Sequence, residues 1–151
     1  MALALPAYLA GLSDREAIAD ALYRVVLAFD HADEELLRSA ITDDISAEVP
    51  GSSSKGVAEL KAVVFDRVSK LDTTHFLSNV RVNIQSASMA QASCSVMAQH
   101  VRPGKGFEAD SKFTGGGMYL CEMVKIGDLW KISNWKANII WVEGDPSVMD
   151  G

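Results

Sequence analysis

Apolar positions recur at helical spacing through the first part of the chain and at alternate positions through the second half. Ile18, Ala21, Leu22, Val25 and Phe29 form one stripe, and Ser13 followed by Glu16 supplies a capping box. A helix is therefore predicted from Ser13 to Phe29 or His31. Asp33 to Ile41, apolar at Leu36, Leu37 and Ala40, predicts a second, short helix with Arg38 on its solvated face. Asp43 to Val49 reads as a strand, ended by Pro50-Gly51 and the serine-rich loop Ser52-Ser53-Ser54. Gly56 to Lys70 predicts a third helix with Val57, Leu60, Val63, Val64 and Val68 inward.

The pattern then changes to strands. Thr73 to Ile84 and Met89 to Val101 are separated only by a short gap at Ser86-Ala87-Ser88, as in a hairpin. Arg102 to Gly106 has the composition of a loop. Phe113 to Ile126 and Leu129 to Val142 follow, joined at Gly127-Asp128. Gly115-Gly116-Gly117 lies inside a strand, which implies a bend or the close approach of a ligand or another backbone. No Lys-Ser/Thr follows these glycines and no helix opens there, so they are not a phosphate loop. This order predicts an α+β domain, residues 1–151, with a curled, mostly antiparallel sheet closed over its helices and a pocket at the open end. Residues 1–12 and the acidic stretch 143–151 are terminal segments, the latter able to cover the pocket.

The hairpin carries a histidine at the start of one strand, His75, and another at the end of the next, His100. Both therefore fall at one end of the sheet. Alternation puts Ala90, Ala92, Cys94, Val96, Ala98 and His100 on one face. Taking Phe76, Val80, Val82 and Ile84 as the matching inner set turns His75 outward, unless a bulge intervenes or His75 precedes regular pairing.

Composition adds exclusions. The chain has 151 residues, 48% hydrophobic, with a net charge of -6. That charge argues against a nucleic-acid or anionic-membrane surface. No segment approaches the length of a membrane span. Cys94 and Cys121 sit mid-strand and are expected to be buried and reduced. The opening residues lack a basic n-region and meet Pro6, so no signal peptide is read and a cytoplasmic location is expected.

Asp30 falls at the rim of the first helix's apolar stripe. It is either a solvated helix end or a carboxylate that reaches into the pocket to hold a histidine. His31, His75, His100 and Asp30 lack zinc-site spacing, so no metal is assigned. No nucleophile motif is present. A histidine oriented by a carboxylate suits general acid–base chemistry without a cofactor.

Phe29-Asp30-His31-Ala32-Asp33, Thr74-His75-Phe76, Gln99-His100-Val101 and Leu129-Trp130-Lys131-Ile132 together resemble the SnoaL-like branch of the NTF2-like superfamily, nearest to the scytalone dehydratases. The resemblance runs from about Asp14 to Asp145. It implies a cone-shaped α+β barrel working without metal or organic cofactor. It also implies that Asp30 holds His100 as the proton-transferring pair, and that His75 lines the same pocket. The two tyrosines that position water in the dehydratases are replaced here by Phe29 and Val49, and their serine and asparagine fall near Gly117 and Tyr119. Tyr119 is the expected replacement donor, with Tyr23 and Asn79 as lesser candidates and Trp141 as a further substrate-binding residue.

The expected function is a lyase or isomerase (dehydration, double-bond migration or cyclisation) acting on a small apolar cyclic natural-product intermediate. The alternative is a non-catalytic small-molecule binding or assembly module. Leu120, Ile132, Ile140 and Val142 on the outer sheet face predict a homo-oligomer, dimer or trimer.

Overall fold

The computed structural model describes residues 5–150; residues 1–4, where the chain opens, and Gly151 lie outside the described residues. Helix α1 (Asp14–His31) begins at the predicted capping box: the Ser13 hydroxyl accepts from the Glu16 amide, and the Glu16 carboxylate accepts from the Ser13 amide. The chain leaves α1 through Ala32 in the left-handed region, φ 52°. Helix α2 (Glu34–Ala40) follows, capped by the Asp33 side chain on the Leu36 amide. Arg24, which the apolar pattern did not single out, is buried between α1 and its neighbours. It donates to Asp20, to the Ser39 carbonyl and to the Trp130 carbonyl, and so pins α1 to α2 and to the sheet.

Strand β1 (Ile41–Val49) turns back as β2 (Ser52–Lys55), so the serine-rich segment is a short edge strand, not a loop. Helix α3 covers residues 57–68 and contains a π turn over Lys61–Phe65. One inserted residue rotates everything beyond it by about 100° relative to an unbroken helix. Phe65 is accordingly buried, and Val63, predicted inward, is exposed.

Strands β3 (Asp72–Ile84), β4 (Met89–Val101), β5 (Lys112–Ile126) and β6 (Leu129–Gly144) form the expected antiparallel meander. The six strands run in the order β2-β1-β6-β5-β4-β3, and β1 joins β6 in parallel. The core lies between α1, α2, α3 and the inner sheet face. A final 3₁₀ turn, Pro146–Asp150, buries Val148 against the domain instead of trailing free. Both cysteines are free and buried, and burial pushes the Cys94 thiol up to about 11. Among the described residues no helix is long and apolar enough to cross a membrane.

Two of the sheet's irregularities shape the site. The pairing of β3 with β4 slips between Ser78 and Arg81, with Asn79 at φ 53°: β3 carries one extra residue there. Inward parity therefore changes along β3. Thr73, His75 and Leu77 point in before the bulge, and Val80 and Val82 after it. Phe76 is consequently outside, 54% exposed, and not in the inner set. The second irregularity lies between Gly116 and Gly117, where β6 inserts Ile140. A Cβ on Gly116 would overlap the Trp141 ring, and one on Gly117 would overlap the Asn138 carbonyl. The glycines serve a close approach of strand to strand. Ile132, expected on the outer face, is fully buried because β6 continues under α2 and β1.

Candidate active site

The sheet bend, α1, α3 and the closing 3₁₀ turn enclose a cavity of about 300 Å³. Its wall is almost wholly apolar, and Phe29, Val49, Tyr119, His75 and His100 all line it. Of the described side chains that form it, Arg67 alone carries a fixed charge. Met149 of the closing 3₁₀ turn contributes to the lining, so the C-terminal segment does cover the pocket.

Asp30 is in the last turn of α1, the end of the helix dipole that disfavours a carboxylate. Three donors hold it there. The Thr73 hydroxyl donates to Oδ1 at 2.8 Å, the His75 amide to Oδ2 at 3.0 Å, and His75 Nδ1 to Oδ1 at 2.6 Å. The Asp30 and His75 side chains are 10% and 8% exposed, so the pair is shielded from water. A carboxylate can only accept, which fixes the proton on Nδ1 of the neutral ring and leaves the lone pair on Nε2.

This corrects the expected pairing. Asp30 holds His75, and His100 is held by the backbone: its Nδ1 donates to the Phe113 carbonyl at 3.2 Å. The reason is register. Thr73 pairs with His100 and His75 with Ala98, so both rings face inward on one side of the hairpin, but His75 lies under the end of α1. The bulge at Asn79 is what permits this inward orientation. The two rings meet edge to face, centroids 5.8 Å apart. Burial, and then the nearby His75, push the His100 pKa below its ordinary value near 6.5, while the Phe113 carbonyl opposes the shift. His100 is therefore a neutral ring offering an acceptor Nε2.

Tyr119 is 5% exposed, and burial raises its pKa, so its hydroxyl remains a proton-bearing donor. Its ring stands edge-on to Trp135 at 5.2 Å. Phe29 packs edge-on against Phe65 and Trp135, at 5.2 and 6.0 Å, and fixes the wall beside His75.

Four expected lining residues are elsewhere. Tyr23 is exposed on α1, on the side away from the apolar stripe. Asn79 is the exposed bulge residue, bonded to the Ser95 hydroxyl. Gly117 is filled by the Asn138 backbone, and Gly115 takes its place in the cavity wall. Trp141 lies over Gly116 outside the cavity, 44% exposed. His31 is exposed at the end of α1. Arg67, Phe113 and Trp135, which sequence reasoning missed, belong to the cavity.

Comparison with known proteins agrees with this architecture. The chain is 48% identical over 149 residues to terrestric acid biosynthesis cluster protein E of Penicillium crustosum, with 96% of each chain covered. A proposed scytalone dehydratase of Novosphingobium aromaticivorans superimposes with a TM-score of 0.74 at 19% identity, covering 85% of both chains. A hexachlorocyclohexane dehydrochlorinase of Novosphingobium barchaimii gives 0.70 at 21% identity, covering 87% of this chain and 90% of its own. An NTF2-like superfamily protein of Salmonella enterica gives 0.70 at 17% identity, covering 86% and 89%. A SnoaL-like domain model matches residues 10–136, and the chain belongs to the SnoaL-like family.

Proposed function

We propose that the protein is a lyase or isomerase that uses a His–Asp dyad, without a cofactor, on a small and largely apolar cyclic intermediate of secondary metabolism. The observation that carries this reading is the 2.6 Å contact between His75 Nδ1 and Asp30 at the wall of an apolar cavity. Nε2 of His75 takes a proton from a substrate carbon, and Asp30 stabilises the imidazolium that results. The electron pair left on carbon forms the new double bond. In a dehydration the hydroxyl on the neighbouring carbon departs with a proton from the imidazolium, leaving His75 neutral and water as product. In an isomerisation that proton returns to a different carbon. Neither path changes oxidation state. His100 Nε2 accepts a hydrogen bond from a substrate hydroxyl, and Tyr119 donates one to a carbonyl oxygen that gains charge.

The 48% identical relative takes its name from a biosynthesis cluster, which supports a place in such a pathway. The solved neighbours support the fold, and the dyad supports the chemistry. Incubation with hydroxylated polyketide, terpenoid and indole-alkaloid intermediates in deuterated buffer, read by mass, tests the reading. Deuterium at carbon with loss of water identifies the lyase, and deuterium without water loss the isomerase. A ligand that binds tightly but exchanges nothing would establish a carrier instead.

The outer sheet face supports a homo-oligomer, dimer or trimer. Phe76, Met97 and the Trp141 ring over Gly116 form one exposed apolar row across β3 to β6. Light scattering at micromolar concentration that finds only monomer would remove this element.

A further inference from the structure

Arg67 stands at the rim of the cavity, exposed, on the face of α3 that also carries Val64 and Val68. The π turn at Lys61–Phe65 sets the position of that face relative to Val57 and Leu60. In a chain of net charge -6, a guanidinium has many carboxylates to choose from. Arg24, Arg38 and Arg102 each take one. Arg15, Arg67 and Arg81 take none among the described residues, and of these three Arg67 alone lines the cavity. Three acidic groups near Arg67 in the chain or around the pocket are already committed, and Asp150 of the closing turn, which packs against the end of α3, makes no pair with it. Asp66 is held by Lys61, Asp72 accepts from the Gly104 amide, and Asp30 is filled by Thr73 and His75. The charge of Arg67 reaches the interior, where it is one of the influences that keep His100 neutral.

A lone cation at the lip of an otherwise uncharged, apolar cavity selects a ligand with an anionic end and a hydrocarbon body. We propose that Arg67 binds a carboxylate of the substrate, so that the substrates are apolar carboxylic acids whose acid group stays at the mouth while the ring system reaches His75 and His100. This rests on the lyase or isomerase reading of the dyad. A carboxylate suits the site better than a phosphate. The planar guanidinium matches two carboxylate oxygens in a fork, whereas Arg67 is the only fixed cation among the described wall residues to meet a phosphate dianion. Pairing with a ligand also offsets a positive charge that disfavours a protonated His100, so His100 should titrate higher with an acid bound than with its amide.

The test uses three acids of different shape, 2-naphthoate, 4-phenylbutyrate and octanoate, each beside its primary amide. Isothermal titration is run on the wild type, Arg67→Met and Arg67→Lys, with His100 followed by NMR. The expected result is that at least one acid binds about five- to tenfold tighter than its amide. Arg67→Met should abolish that gap by weakening the acid more than the amide, and Arg67→Lys should keep part of it. Absence of acid binding, equal binding of acid and amide, or an unchanged gap in Arg67→Met would each overturn the proposal. An Arg67-dependent acid preference in a protein that exchanges no substrate proton overturns the lyase reading and leaves the acid site standing. Proton exchange without any acid preference does the reverse.

Discussion

The carboxylate of Asp30 and the imidazole of His75 meet 2.6 Å apart across 45 positions of sequence, one at the end of a helix and the other at the start of a strand. Thr73 and the His75 amide complete the shell of the carboxylate. With three donors fixed on it, the Asp30 side chain has one orientation, and so does the ring it holds. Asp30→Asn replaces one carboxylate oxygen with an amide nitrogen that faces donors. Turnover should fall by about 10²- to 10⁴-fold, because Nδ1 no longer has an anion to stabilise the imidazolium. Nitrogen NMR should show the Nδ1–H tautomer of His75 depleted. Unchanged turnover in a folded variant would rule the dyad out.

His100 yields a pH prediction. Its folded pKa is lowered from about 6.5, chiefly by burial, and the unfolded chain titrates at the ordinary value. Between those two values the unfolded chain binds a proton and the folded chain does not. Its contribution to stability is therefore full above pH 6.5 and is lost as pH falls through the window down to the folded pKa. Urea unfolding of the wild type and His100→Gln should show a steeper loss with acid in the wild type over that window. Parallel curves would mean that the ring titrates alike in both states.

Most of the fold could be read from the chain, because helix stripes, the capping box and the hairpin are local signals. The inner face of β4 from Ala90 to His100 alternates as expected and is buried throughout. The hairpin pattern carried His75 and His100 to one end of the sheet, and the resemblance added Asp30, Phe29, Val49 and Tyr119; all but Asp30, which reaches it through His75, line one cavity. Two of the failures trace to single inserted residues. The bulge at Asn79 puts Phe76 outside while giving His75 the inward direction that the resemblance implied, and the π turn in α3 exchanges Val63 for Phe65. Neither insertion leaves a periodic mark, although an asparagine inside a strand is a fair sign of positive φ. The partner of Asp30 is not legible because the choice between two neighbouring rings depends on where the helix end lies over the hairpin. Pattern does not specify that packing.

The Asn79 bulge can be tested directly. At φ 53° a β-branched residue is strained, so Asn79→Val should destabilise by about 1–2 kcal/mol, and Asn79→Gly should be close to neutral. Deleting Asn79 removes the extra residue and leaves the pairing on either side as it is, so straight alternation then carries Val82, Val80, Leu77 and His75 inward together. The deletion variant should keep His75 shielded from diethylpyrocarbonate and keep dyad activity. A folded deletion variant with a reactive His75 and no activity would show that Asn79 does more than absorb the extra residue.

Gly116 and Gly117 separate two kinds of close approach. The obstacle to a Cβ on Gly116 is the Trp141 ring, a half-exposed side chain that can swing away. On Gly117 the obstacle is the Asn138 backbone, which cannot. Gly117→Ala should therefore cost about 1–3 kcal/mol, seen as a drop in Tm of roughly 2–4 °C for each kcal/mol. Gly116→Ala should cost less, and Trp141→Ala in the same chain should recover the difference. A larger effect at Gly116 would contradict this assignment.

The C-terminal turn closes the cavity through a latch. Arg102 donates to Asp145 at 2.9 Å and to the Ser147 hydroxyl at 2.7 Å, while Asp145 also accepts from the Ser147 amide and hydroxyl. This shell holds the start of Pro146–Asp150, which brings Met149 to the cavity wall. The same donors, Arg102 first, pull the Asp145 pKa down from 3.8 to about 2. Because the folded value is the lower one, the latch is intact above the ordinary carboxylate range and is lost only as pH falls through about 2. Near neutrality it is thus insensitive to pH but sensitive to salt, since both partners are partly exposed. Asp145→Ala should speed amide exchange across 146–150 and raise the off-rate of a bound ligand, with core protection unchanged. Met149→Ala should widen the cavity and weaken apolar ligands without loosening the turn. If Asp145→Ala changes neither exchange nor off-rate, the packing of Val148, 1% exposed, is enough to keep the cavity closed.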